Sequence, residues 1–308
     1  CTHEVILSHH RIARRQGVHF CSPVSSGSRH VDFFLLGESI AGALREGSGF
    51  SEALLTIEGS GICFDLTQQP AARRIDVSRA QLGLPESGTV FVSGANCFKI
   101  LPELMRTWAT VLEGTPGSFL VLYPFGPAWG NRYPQAGMAG MYRRALSEKG
   151  VDPRRLVILD ALPEHACIDA LNRMADVYLD AVPYNGATSL LDPLRAGTPM
   201  AVADGGALRF AQGAAMLREL GIPEMIAVGA DDYVRLAVRL GRDASLRQAL
   251  RGRIRERMSR TPDFLNPALY GRRVSRALQG LFRDDSPRDP APAGTRCVGA
   301  APAANPAR

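Results

Sequence analysis

Residues 177–203 read VYLDAVPYNGATSLLDPLRAGTPMAVA, and three kinds of local order follow one another in them. Val177–Leu179 is a short apolar run that ends at Asp180, the pattern of a strand covered on both faces. Asn185–Gly186 allows tight turning of the backbone. Thr188 and Ser189 are residue types that cap helices, so a helix is expected to start at Thr188. Pro193 is tolerable in it only because it lies near the N-terminus. A second apolar run, Met200–Ala203, reads as the next strand. Strand, turn, helix and strand in so short a span make one unit of a parallel sheet.

The same alternation fills the chain from about residue 88 onward. Thr89–Val92, Phe119–Tyr123, Leu156–Leu159 and Met225–Val228 read as strands. One helix is expected where Leu101, Leu104, Met105, Trp108, Val111 and Leu112 share a face, and others around 138–149, 164–174, 208–220, 231–240 and 244–257. Short apolar strands, each followed by a helix, predict a doubly wound α/β domain, Rossmann-like, over residues 88–282. Upstream, Gly17–Cys21, Asp32–Leu36 and Leu55–Ile57 are three further β-like runs. They are too few for a complete unit, so residues 1–70 are read as the end of another α/β lobe and 71–87 as the linker. Residues 283–308, rich in Pro, Ala, Gly and Arg, bury too little to order and are expected to form a disordered tail. Because the chain starts at Cys1 rather than Met, it is expected to be a truncated member of its class.

Hydrophobic residues make up 45% of the 308 and charged residues 21%, which suits a globular protein with a sizeable core. No run of about 18 apolar residues predicts a transmembrane helix, and the polar, basic start lacks the apolar centre of a signal peptide. A cytoplasmic protein without a membrane partner is expected. The net charge is +6, but the arginines are scattered and no aromatic residues interleave them to stack bases, so nucleic acid is not the expected partner. The six cysteines show no CxxC spacing, which speaks against a zinc site or a disulfide framework.

In an open parallel sheet, ligands bind beyond the C-terminal ends of the strands, where helix N-termini aim N–H groups at anions. Three loops there carry suitable residues. The first, SGANCFKI, offers the Asn96 amide and the Lys99 ammonium, a cation that would offset charge on a pyrophosphate leaving group; on this loop alone an ordinary surface lysine fits better. The second, LPEHACIDAL, would put Pro163 and Glu164 in a first helical turn and His165 at the ligand edge, although a lone His near a helix start is more often incidental. The third is residues 180–200. There the hydroxyls and N–H groups of Thr188 and Ser189 would cradle a phosphate, and Asp192 would accept from sugar hydroxyls. A plain capped helix, with Asp192 complementing its dipole, fits those residues equally well.

ADVYLDAVPYNGATSLLDPLRAGTPM resembles, without gaps, the donor-binding signature of the protein O-linked N-acetylglucosamine transferase family, including its bacterial and SPINDLY-like members. SRAQLGLPESGTVFVSGANCFKILPELMRTWATVL is similar to the segment that opens that family's C-terminal lobe. CSPVSSGSRHVDFFLLGE is similar to the end of its N-terminal lobe. The resemblance spans roughly residues 11–282. It implies the two-lobed GT-B fold, a UDP-sugar donor, a protein Ser or Thr acceptor, and no metal or cofactor. By position, Lys99 matches the lysine that contacts the pyrophosphate, a catalytic role, and Asn96 matches a Gln or Asn. His165 matches a Lys or His near the uridine. Asn185 and Gly186 match the turn, Thr188 and Ser189 match the two hydroxyl residues at the helix start, and Asp192 matches the ribose-binding Asp. No carboxylate cluster suited to a metal is visible in the sequence.

Departures from the pattern stand at Ala187, Ile168 and Ala211, and the segment that would carry the general base has no counterpart here. The implied activity is inverting, metal-independent transfer of N-acetylglucosamine or another hexose from a UDP-sugar to protein side chains. The chain given is expected to be silent alone, its base coming from an upstream segment or a neighbouring chain. A related reading is the adhesin-type enzyme that puts glucose from UDP-glucose on Asn, towards which GALRFAQGAAMLRELGIPEMIA departs. A reading of another class is a non-catalytic nucleotide-sugar-binding fragment.

Overall fold

The strand expected at Thr89–Val92 is β4, Val90–Ser93, and all four of its residues are buried. A strand buried on both pleat faces must be covered twice, and the chain does this in the computed structural model, which describes residues 6–19, 24–44, 49–66, 74–125 and 135–283. Six parallel strands form the larger sheet: β4, β5 (Phe119–Leu122), β6 (Leu156–Ile158), β7 (Val177–Leu179), β8 (Met200–Asp204) and β9 (Ile226–Val228). Their order is β6-β5-β4-β7-β8-β9. The chain therefore winds outward from β4 to one edge, crosses back, and winds from β7 to the other. The reversal falls between β4 and β7, the point where such sheets leave a crevice.

The connecting helices are α2 (Pro102–Gly114), α3 (Gln135–Glu148), α4 (His165–Met174), α5 (Thr188–Ala196) and α6 (Gln212–Glu219). After β9 come α7 (Ala230–Arg242), α8 (Ala244–Met258) and α9 (Pro267–Arg283). Helix α2 packs on α3 and α7, and α5 packs on α4 and α8. The expected apolar face of α2 is the one buried: Leu104, Met105, Trp108, Val111 and Leu112 are all covered, and Trp108 donates its indole N–H to the Tyr233 hydroxyl at 3.1 Å. Leu101 instead lies before the helix, half-exposed, because Pro102 opens it. Helix α5 ends on Gly197, whose φ of 73° is a left-handed conformation that glycine adopts without a Cβ clash.

Upstream, β1 (Gly17–His19), β2 (Phe33–Gly37) and β3 (Ala53–Ile57) pair in parallel in the order β1-β2-β3, with the short helix α1 (Glu38–Ala41) after β2. Helix α9, which is not among the expected helices, runs back to this smaller sheet and packs on β3. There Tyr270 hydrogen-bonds His19, while Arg273 reaches Glu58 at 3.3 Å and Asp263 at 2.8 Å. Phe64 N–H donates to the Phe264 carbonyl at 2.8 Å. Glu219 accepts from the N–H groups of Ser60 (3.1 Å) and Phe264 (2.7 Å), tying α6 to both crossings. Within the stretch read as a linker, residues 74–87 are described, and Arg79 in it pairs with Asp176 at 3.3 Å. The expected tail lies outside the described residues apart from Arg283, as do Cys1, Cys21 and Cys297. Among the described residues, no helix is long and apolar enough to cross a membrane.

Candidate functional site

The loops after β4 and β7 meet at the reversal point and form a cavity of 580 Å³. Six of the residues expected from sequence line it: Asn96, Lys99, Asn185, Gly186, Thr188 and Ser189. Cys63 and Phe64, just past the smaller sheet, close another side, so both lobes contribute to the wall.

Lys99 ends a 3₁₀ turn, Cys97–Lys99, that Asn96 caps by accepting from the Phe98 N–H at 3.0 Å. That turn aims the lysine across the cleft. Its Nζ donates to the Asn185 carbonyl at 2.9 Å and sits 4.0 Å from the centre of the Tyr184 ring. Burial lowers its pKa, while the nearby Asp180 carboxylate raises it. An ammonium held between a π face and a carbonyl in a partly dry cleft is poised for an anion.

The third loop differs from expectation at one point. Thr188 and Ser189 are the first two residues of α5, and the cap position belongs to Ala187, with no side-chain capping bond. Alanine has no acceptor to offer, so the first turn's N–H groups keep their pull on a negative ligand. Gly186 sits in a tight place: a Cβ there would lie 2.3 Å from the Ser189 hydroxyl oxygen, which would have to turn away.

His165 and Asp192 do not line this cavity; they meet beside it. Pro163 precedes α4 instead of starting it, and Glu164 takes the cap position, which leaves His165 as the first helical residue. Its Nε2 lies 3.0 Å from Asp192 Oδ1, and its Nδ1 lies 3.8 Å from Asp169 Oδ2. Asp192 is only 14% exposed against 51% for His165. Burial pushes its carboxyl up to about 6, against the pull of His165 and with a further push from Asp169. Asp192 is the fifth residue of α5 and has His165 as a side-chain partner. His165, Asp169 and Asp192 offer ligand atoms within 4.8 Å of one another, a metal-like grouping that the sequence, with Asp192 on a separate helix, did not reveal.

Sequence reasoning missed Asp180, Tyr184 and Gln212, which share the cavity wall. Asp180 carried a signal: a carboxylate closing a wholly apolar strand is out of place unless something holds it. Its carboxyl is pushed up to about 7 by burial, against hydrogen bonds from Gly186 and Ala181 and the pull of Lys99.

Comparison with known proteins places the chain among glycosyltransferases. A UDP-N-acetylglucosamine–peptide N-acetylglucosaminyltransferase of Caenorhabditis elegans is 35% identical over 179 residues, covering 58% of this chain and 14% of the relative. A probable enzyme of the same name, SPINDLY, from Hordeum vulgare is 27% identical over 261 residues, covering 85% of this chain and 26% of the relative. The chain thus spans about a seventh to a quarter of these relatives. Among solved structures, an O-GlcNAc transferase mutant from Thermobaculum terrenum superposes with a TM-score of 0.70 at 23% identity, over 89% of this chain and 48% of that one. Sucrose-phosphate synthase from Thermosynechococcus elongatus does so with 0.53 at 18%, over 82% and 59%. At such identities the likeness is one of fold, the GT-B arrangement. The model of glycosyl transferase family 41 matches residues 65–272, and the chain belongs to that family.

Proposed function

We propose that this chain is the donor-binding part of a glycosyltransferase that moves N-acetylglucosamine or another hexose from a UDP-sugar to Ser or Thr hydroxyls of a protein, without a metal. The observation that carries the reading is the cleft at the sheet's reversal point, which the half-buried Lys99 ammonium shares with a helix N-terminus that no side chain caps. In this reading Lys99 meets the pyrophosphate and steadies the charge that builds on UDP as the sugar leaves. The first turn of α5, with Thr188 and Ser189, takes the remaining phosphate oxygens. Asn96 supplies an amide to the donor. Asp192, oriented by His165, accepts from the ribose hydroxyls, and the turn at Asn185–Gly186 lets the backbone approach. The acceptor protein brings its hydroxyl from the side of the smaller lobe. The activities named for the worm and barley relatives support the choice of donor and acceptor class.

Calorimetry tests this. UDP is expected to bind in EDTA, without magnesium. Asp192→Ala should weaken UDP and uridine by similar factors while leaving the melting temperature in place. Absent binding, or binding only with a divalent ion, overturns the reading. An Asp192→Ala variant that binds normally but melts several degrees lower assigns that residue to stability instead.

A further inference from the structure

Asp180 has no role in the scheme above, yet the cleft is built around it. Its Oδ1 accepts from the Ala181 N–H and from the Gly186 N–H, both at 2.8 Å, so one oxygen closes the loop between the end of β7 and the turn before α5. The next residue back, Asn185, presents the carbonyl that holds Lys99. A continuous chain of contacts therefore runs from the Asp180 carboxylate through the 185–186 peptide to the Lys99 ammonium. The backbone of Asp180 is fixed as well: its N–H donates to the Ala201 carbonyl at 3.1 Å, and its carbonyl accepts from the Tyr233 hydroxyl at 2.8 Å.

The second carboxylate oxygen makes no hydrogen bond and is buried. Closing the loop does not require it, because a neutral amide at this position would offer the same single acceptor to the same two N–H groups. A buried charge without a full set of partners is costly. The cation that acts on it is Lys99, which lines the same cavity. The other ionisable groups against it are the phenols of Tyr178 on its own strand and Tyr233 of α7, both held neutral because burial pushes them up. The carboxylate is thus the counter-charge of Lys99 while the cleft holds no anion, and a pyrophosphate would take that cation from it.

We propose that Asp180 is the positioning residue of this cleft, setting the turn that carries Lys99, and that it takes up one proton from solvent when a UDP-sugar binds. This rests on the donor reading above. Burial already pushes its carboxyl up to about 7 with Lys99 beside it. A ligand bearing two negative charges disfavours the ionised form further, which raises that value again in the complex. The sign follows. Below 7 the acid is already neutral and little proton moves; above 7 binding must recruit one, so affinity falls as pH rises.

UDP-N-acetylglucosamine is the suitable probe, because its pyrophosphate diester keeps a constant charge across this range. Titration calorimetry near pH 8, in two buffers of different protonation enthalpy, should report uptake of most of a proton. The Kd should rise about fivefold or more from pH 7 to 8.5, in line with single-proton linkage. Asp180→Asn should abolish the uptake and flatten the profile. If that variant fails to fold, infrared difference spectra of the wild-type protein should still gain a protonated-carboxyl band on donor binding. Tight binding with no proton exchange in the wild-type protein overturns the inference. So does uptake that survives in Asp180→Asn, which would move the proton to His165 or Asp192. No binding at all, at any pH, removes the donor reading itself and with it the ground for this one.

Discussion

The two sheets of this molecule obey different rules. In the larger one, β4, β7 and nearly all of β8 are buried residue by residue, with helices on both faces. In the smaller one, β1 and β3 are largely open, and Leu54 of β3 is 41% exposed. Both are parallel, yet only the first is enclosed in the way that parallel sheets ordinarily are. The residues expected to do chemistry belong to the enclosed sheet's lobe, on the turns and helix starts that follow β4, β6 and β7. Rigid support and reactive groups coincide, as a site held to tight tolerances requires.

The contrast can be broken most sharply at Trp108, which is fully buried against α7. Trp108→Ala should cost about 3–5 kcal/mol of stability in urea or thermal unfolding. A loss below about 1 kcal/mol would mean that the larger lobe is not the stable half. Next in size is Lys99→Met, expected to lose about 1.5–3 kcal/mol of UDP-sugar affinity, tenfold or more, in calorimetry. A variant that binds normally would take the lysine out of the site. Glu219→Ala probes the junction itself. It strands two backbone N–H groups, one from each crossing, and should destabilise by about 1–3 kcal/mol. If it leaves unfolding untouched, the lobes are not energetically joined there. Smallest is Leu54→Ser, expected within about 0.5 kcal/mol of the parent because that side chain already meets water. A larger effect would reveal that something covers this face in solution.

The parts of this design that were legible in the sequence are the periodic ones. Strands such as Val177–Leu179 and the helix face at Leu104, Met105 and Trp108 follow from apolar spacing, and the turn at Asn185–Gly186 follows from residue type. Three things were not legible, each for a physical reason. The place of helix α9 is one: Tyr270, Val274, Leu278 and Leu281 recur at helical spacing, but the partner they meet is a distant strand. Asp180 gains its meaning only when Lys99, 81 positions earlier, folds against it. The grouping of His165 and Asp169 with Asp192 joins two helices, which no local window can see. Capping misled differently: Thr188 and Ser189 have the right chemistry for a cap, but the chain enters α5 one residue earlier, at Ala187.

The return of α9 to β3 has a topological consequence. The larger lobe is an insertion inside the smaller one, entered through 74–87 and left through the segment around Phe264. Two covalent strands span the junction, so the lobes cannot drift apart. A protease cut in 74–87 would leave both halves joined through the second strand and the Phe64–Phe264 and Glu219 bonds. Their encounter would stay intramolecular, at a high effective concentration. The cleft should therefore survive a nick that would destroy a protein of two beads on one string, and a new chain start placed there should still fold to the same pair of lobes.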